Sequence, residues 1–281
     1  MNLLRLLAHT ERRGVAGVTT LNNKIFVVFY ELPFIVVYMS QQPYTRLPNI
    51  SIRGIKNPTD IAAGRTCLYV CDTRSVAIWR VKAADGKVDQ WLSGVRAVSV
   101  SVTSEEKLVL LVWVDKQGSD EECNLTLYGE IQIYSRGAVK ETVIELSCDI
   151  TTPRCVVMTT KKTFIVSYGS EWHEMNRVCE VDMTGRMLKA FGSTPGNGVG
   201  QLSEPLHVLD DEEGIIVADT HNHRVLLLNK QLMLQRVLVT WHPQSPDDVP
   251  FKLHYDSHSG NLLVGWYNGH LNIYQLRARI C

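Results

Sequence analysis

The sequence has no surplus of either charge. Lys and Arg together number 29, Asp and Glu also number 29, and the formal net charge at pH 7 is +0. A polyanion such as nucleic acid, or an acidic membrane, would have to find a local basic patch rather than a general field. Long apolar runs are missing too. The two longest, residues 25–30 and 34–39, are split by Glu31 and Pro33 and fall far short of the roughly 20 residues a bilayer span requires. Residues 1–9 (MNLLRLLAH) hold too short an apolar stretch for a secretory signal and no small-residue cleavage site before Glu11, so they are expected to belong to the fold. Seven cysteines, at 67, 71, 123, 148, 155, 179 and 281, are odd in number and irregular in spacing, which argues against a disulfide framework and for a reduced, cytoplasmic setting. Cys67 and Cys71 share one face of an apolar strand but stand ~13 Å apart by strand rise, too far to bond.

Catalytic signatures are also lacking. The chain contains no Gly-x-Ser-x-Gly, no P-loop, no dinucleotide fingerprint that follows a strand and opens a helix, and no CxxC or HExxH set. The glycine-rich residues 192–200 (GSTPGNGVG) lie between strands, without a helix N-terminus to hold a phosphate, and read as a loop between repeats. His221 and His223 share a turn, and His254 and His258 are four apart, but no further ligands accompany either pair, and His223 reads as a solvated loop histidine of the repeat's turn. No metal and no cofactor is expected.

What the sequence does have is rhythm. Short runs of Val, Ile, Leu, Phe and Tyr alternate with Gly, Asn, Asp, Ser and Pro clusters, the pattern of an all-β protein. The strongest strand of each unit begins at Ile25, Leu68, Leu108, Phe164, Ile215 and Leu262, giving intervals of 43, 40, 56, 51 and 47. A period near 47 with several strands per unit marks a propeller blade. The two long intervals contain polar insertions, residues 115–126 (DKQGSDEECNLT) and 169–176 (GSEWHEMN), both placed between the second and third strands of their units. A longer loop there leaves the sheet undisturbed.

Two copies align closely: residues 56–72 (KNPTDIAAGRTCLYVCD) and 203–219 (SEPLHVLDDEEGIIVAD) each place proline and aspartate 14 apart, Pro58 with Asp72 and Pro205 with Asp219. Residues 181–192 (VDMTGRMLKAFG), 196–205 (GNGVGQLSEP) and 215–225 (IIVADTHNHRV) together resemble an NHL repeat, and residues 58–79 resemble a second, shorter copy. The other four units keep the strand rhythm and carry Phe29, Val112, Tyr168 and Trp266 where the repeat has its aspartate. The resemblance and the count both imply a six-bladed β-propeller of four-stranded antiparallel blades. The blades span roughly residues 14–53, 54–93, 94–147, 148–194, 195–240 and 241–281, and residues 1–13 close the ring as the last blade's outer strand. Asp72, Asp219 and Arg224 are expected to tie turns together, and Gly86, Gly185, Gly214 and Gly260 to sit in turns that use a positive φ.

The expected function is a non-catalytic interaction scaffold, a monomer that binds a protein or peptide on its loop-rich face. The candidate contacts are Phe34, Arg74, Asp115, Glu121, Glu122, Trp172, His173, His221, Asn222, His223, Tyr267 and His270, with Phe34, Trp172 and Tyr267 as aromatic anchors. By resemblance, NHL propellers of this kind bind proteins or single-stranded RNA, and tripartite-motif relatives recruit substrates for ubiquitin transfer, though none of those relatives' zinc pairs occurs in this sequence. Asp115, Asp120, Glu121 and Glu122 would repel phosphates, which puts RNA second. A metal-dependent hydrolase or lactonase comes third. It would need carboxylates such as Asp60, Asp149, Glu204 and Asp247 to converge on the axis.

Overall fold

A computed structural model describes residues 13–114, 128–170, 175–242 and 245–276, together with the backbone of a strand, β1, over Asn2–Ala8. Twenty-three further strands follow in sequence order. The first sheet holds β2 (Val15–Leu21), β3 (Lys24–Phe29), β4 (Phe34–Met39) and β5 (Arg46–Ser51), and the second holds β6 (Pro58–Ala63), β7 (Cys67–Asp72), β8 (Ala77–Lys82) and β9 (Val88–Ser93). The third comprises β10 (Ala97–Val102), β11 (Leu108–Val114), β12 (Tyr128–Tyr134) and β13 (Lys140–Glu145). The fourth comprises β14 (Pro153–Met158), β15 (Phe164–Tyr168), β16 (Asn176–Val181) and β17 (Met187–Ser193). The fifth has β18 (Pro205–Asp211), β19 (Gly214–Asp219), β20 (Arg224–Leu228) and β21 (Leu234–Thr240). The sixth has β22 (Pro250–Asp256), β23 (Asn261–Trp266) and β24 (His270–Gln275), and is completed by β1.

Each sheet is an antiparallel meander, and the first strands of successive sheets, β2, β6, β10, β14, β18 and β22, touch one another in a closed cycle. This is a six-bladed β-propeller. The sixth blade is built from both parts of the chain: β1 runs antiparallel to β24, with Asn2 opposite Gln275 and Ala8 opposite His270. Pairing of this kind removes the free sheet edge that β24 would otherwise present.

The core follows from the ring. The buried apolar residues fall into six clusters, each shared by two neighbouring blades. Phe26, Val28 and Ile35 of the first blade, for example, meet Leu68, Val70 and Trp79 of the second. An inner strand thus faces a neighbour on both sides. β19 and β23 are buried at all six positions, whereas the outermost β13 and β21 are mostly exposed. Strands buried on both faces read as continuous apolar runs, which is why the second strand of each unit stands out in the sequence.

All six blades share one irregularity. The first residue of the innermost strand pairs with a residue at or near the end of the second: Val15 with Phe29, Pro58 with Asp72, Ala97 with Val112, Pro153 with Tyr168, Pro205 with Asp219 and Pro250 with Trp266. The register then shifts at once, so each innermost strand is bulged at its second residue. Proline suits the first position, where a missing N–H costs the ladder little.

Gly86, Gly185 and Gly260 have the expected positive φ, at 67°, 81° and 71°. Gly214 does not. It opens β19, and a Cβ there would lie 2.0 Å from the carbonyl oxygen of Leu228, so crowding rather than backbone conformation excludes a side chain.

Candidate functional site

The antiparallel pairing places the start of each innermost strand, the loop leading into it and the turn between second and third strands at one end of the propeller. Two of those turns are organised by the repeat aspartates. Asp72 accepts hydrogen bonds from the amides of Lys56 (2.7 Å), Asn57 (3.0 Å), Arg74 and Ser75 (3.1 Å each), and from the Ser75 hydroxyl. Burial alone would push its carboxyl up, but the bonds from Ser75, Lys56 and Asn57 together hold it below the usual range. Asp219 accepts from the Ser203 amide (2.7 Å), Asn222 Nδ2 (2.9 Å) and Arg224 Nε (2.6 Å). There burial prevails and the carboxyl is shifted up. Arg224 also donates to the carbonyls of Asn197 and Gln201, fastening the glycine-rich loop to the turn.

Just beyond the bulges, one residue from each innermost strand occupies an equivalent position: Gly17, Asp60, Ser99, Cys155, His207 and Lys252. These meet around the axis. Asp60 Oδ1 lies 3.3 Å from Lys252 Nζ and 3.9 Å from Nε2 of His207, which belongs to the opposite blade. Asp60 Oδ2 accepts from the Val100 amide at 3.0 Å, and Ser99 Oγ donates to Cys155 Sγ at 3.5 Å. Burial, with the nearby Lys252 and His254, pushes the His207 imidazole well below its usual range, so it is neutral and the ion pair is Asp60 with Lys252. His207 Nδ1 has no hydrogen-bond partner among the described residues. Burial also lifts the Cys155 thiol to about 11, with Asp60 adding to the rise, so it stays protonated at neutral pH.

Above this layer the bulged residues Thr59, Val98, Arg154, Leu206 and Phe251 join Tyr30, Asn57, Thr73, Trp113 and Lys252 around a funnel of about 260 Å³, with all six blades contributing. Arg154 donates from Nε to the Gly169 carbonyl (3.3 Å) and from Nη2 to Glu204 Oε1 (2.7 Å); the other oxygen of Glu204 lies 3.1 Å from His221 Nε2. Beside the funnel, between the sixth and first blades, a cleft of about 780 Å³ is lined by residues including Arg13, Tyr30, Glu31, Asp247, Tyr267 and His270. Tyr30, Phe251 and Tyr267 form an aromatic trio on the wall between the two spaces, with ring centroids 5.7, 6.5 and 5.4 Å apart. Tyr267 is 45% exposed. Burial drives the Tyr30 phenol up, with Asp60 and Tyr267 adding to the rise.

The candidate contacts divide. Tyr267 and His270 line the cleft, His221 meets Glu204, and Asn222 also donates to the Gly196 carbonyl. His223 is left-handed, at φ 51°, and its Nδ1 lies 3.0 Å from the Asp248 carbonyl. Arg74 is exposed at the rim of its turn. Phe34 does not stand free in a loop: it opens β4 and packs against the core shared by the sixth and first blades. Asp115, Glu121, Glu122, Trp172 and His173 lie outside the described residues. Among the described residues, no group of three or more His, Cys, Asp or Glu is placed to hold a metal ion. Asp60, Glu204 and Asp247 belong to three different settings, and Asp149 is exposed.

Arg154, Lys252, His207 and Tyr30 were not among the sequence candidates. For the first three the signal is a polar side chain two residues after a strand-opening proline, as in Pro205-Leu-His207 and Pro250-Phe-Lys252, or one residue after it, as in Pro153-Arg154; Tyr30, which directly follows β3, carries no such signal.

The sequence matches no protein-family model and no curated protein. Solved structures share its architecture. The WD40 β-propeller domain of Doa1 is similar with a TM-score of 0.65 and 14% identity, over 98% of this chain and 96% of that one. A chain of the nidogen/laminin complex is similar at 0.64 and 12%, over 87% and 85%, and one of Kuenenia stuttgartiensis hydrazine synthase at 0.61 and 14%, over 91% and 74%. Identities this low carry the fold alone, and the class they agree on is the β-propeller. Among the described residues no helix is long and apolar enough to cross a membrane.

Proposed function

We propose that this chain is an NHL-type propeller that acts as a docking scaffold, taking a protein or peptide partner on the face where the funnel and cleft open. The observation that carries this reading is the aromatic trio. Tyr267 is a large, half-exposed ring backed by Tyr30 and Phe251, on the lip shared by a 780 Å³ cleft and the axial funnel. Rigid aromatic residues in such settings supply most of the energy at protein interfaces. The NHL assignment is supported by the ties that Asp72 and Asp219 make across their turns. Substrate recruitment in a ubiquitin-related assembly follows from the resemblance alone.

RNA is the weaker reading because the Arg and Lys residues that line the cleft and funnel are matched by acids: Arg13 pairs with Glu31, Arg154 with Glu204 and Lys252 with Asp60. Panning a displayed peptide library against the full chain tests the proposal. Recovered peptides should share a consensus and lose at least about fivefold in affinity with Tyr267→Ala, since truncating a hot-spot residue costs more than about 1 kcal/mol. A control on the opposite end, Met183→Glu, should leave them unchanged. Equal binding by Tyr267→Ala, or tight RNA binding with a steep salt slope, would sink the reading.

A further inference from the structure

The axial funnel has a chemistry of its own, independent of the cleft. Of its ten lining residues only Arg154 and Lys252 are charged, both are cations, and no acid lines the cavity. The compensating carboxylates stand behind them, Glu204 at 2.7 Å from Arg154 and Asp60 at 3.3 Å from Lys252. Both cations retain donors: the bonds of Arg154 use Nε and Nη2, leaving Nη1 without a partner among the described residues, and the Lys252 ammonium has three N–H groups and one ion-pair partner there. The rest of the wall combines the polar Asn57, Thr59 and Thr73 with an apolar, largely aromatic part made of Tyr30, Val98, Trp113, Leu206 and Phe251. Trp113 is held in place by its indole N–H, which donates to the Pro153 carbonyl at 2.9 Å.

We propose that this funnel binds a carboxylate carried on a flat apolar group, the carboxylate between Arg154 and Lys252 and the apolar body against the aromatic wall. The size of the ligand follows from the cavity: at about 260 Å³ it lies just under the roughly 300 Å³ at which pockets for drug-sized ligands begin, which suits one phenylalkyl group. The charge follows from the pairing. Each cation already neutralises one carboxylate, so any bound anion adds net negative charge that only the unused N–H donors can stabilise, and a single charge costs far less than two in a desolvated site. Two sources present this chemistry, a free arylalkyl carboxylic acid and the C-terminal carboxylate of a peptide ending in an aromatic residue. The second rests on the docking reading above.

The test titrates the full chain, followed by calorimetry and tryptophan fluorescence, with 3-phenylpropionate, with its amide, and with a Gly-Gly-Phe peptide carrying a free or an amidated C-terminus. At least one free acid should bind saturably, and its amide should bind at least about tenfold more weakly. Binding of 3-phenylpropionate alone assigns a free small acid as ligand; binding of the free-acid peptide alone assigns a chain terminus. Arg154→Gln should weaken binding at least about tenfold. Leu206→Trp, which keeps both cations and fills the funnel, should abolish it while the melting temperature holds. Equal binding of acid and amide, no saturable binding of either acid up to about 10 mM, or unchanged binding by a folded Leu206→Trp protein would each overturn the proposal. Loss of the carboxylate site with peptide docking through Tyr267 intact removes this inference alone; loss of docking with carboxylate binding intact removes only the docking reading.

Discussion

Buried ionisable side chains set the behaviour of the axis. His254 lies one turn of the pleat beyond Lys252 on β22 and shares a 2.8 Å hydrogen bond with Thr20 of the first blade. Burial pulls its imidazole from 6.5 down to about 4, with the Asp256 carboxylate opposing the shift. His207 is pulled down in the same way. Both folded values are depressed, so between pH 6.5 and about 4 the unfolded chain binds protons that the folded chain refuses, and stability falls as the pH falls. Urea midpoints at pH 7, 6 and 5 should decline, and His254→Gln should decline less steeply than the unaltered chain. Identical slopes would exclude His254 as a source of the effect. The residues around the axis were the least legible part of the sequence. In the sequence Asp60 is one carboxylate among four at the strand starts, and nothing in its neighbours announces Lys252 or His207 as its partners. Such contacts join blades that are not neighbours in the ring, and only closure brings them together.

At the level of the strand, the sequence was more informative. The six strongest runs begin within one residue of β3, β7, β11, β15, β19 and β23, because strands covered on both faces must be apolar throughout. The six positions aligned with Asp72 and Asp219 also proved equivalent in register, even where Phe29, Val112, Tyr168 and Trp266 replace the acid. The bulge next to them was invisible, since a register shift leaves the order of residues unchanged. Its effect is to turn the second residue of five of the six innermost strands towards the funnel; the sixth, Ala16, packs in the core between the first two blades. Gly17 marks a close approach of β2 to β6: a Cβ there would fall 2.7 Å from the backbone nitrogen of Ile61. Gly17→Ala should destabilise the propeller by about 1–3 kcal/mol, the usual cost of overpacking, measured as a shift in the chemical denaturation midpoint. An unchanged midpoint would show that β2 and β6 can separate freely.

For the whole molecule, closure is the decisive feature. β1 supplies the fourth strand of the last blade, pairing along β24 from Gln275 to His270. Removing residues 1–10 should lower the melting temperature severely and expose the edge of β24 to association. A truncated chain that melts like the intact one and stays dispersed would refute the role assigned to β1. Partner choice was not legible at this scale, because a ring of this kind is specified by inward apolar pattern while recognition depends on loops, several of which lie wholly or partly outside the described residues. The clasp has a temporal side as well. The sealing strand precedes five whole blades in the chain and its mate, β24, follows them, so the ribosome must deliver all five while the fastener hangs open. Chaperones that shield a lone apolar strand should therefore matter more to this protein's yield than to its final stability.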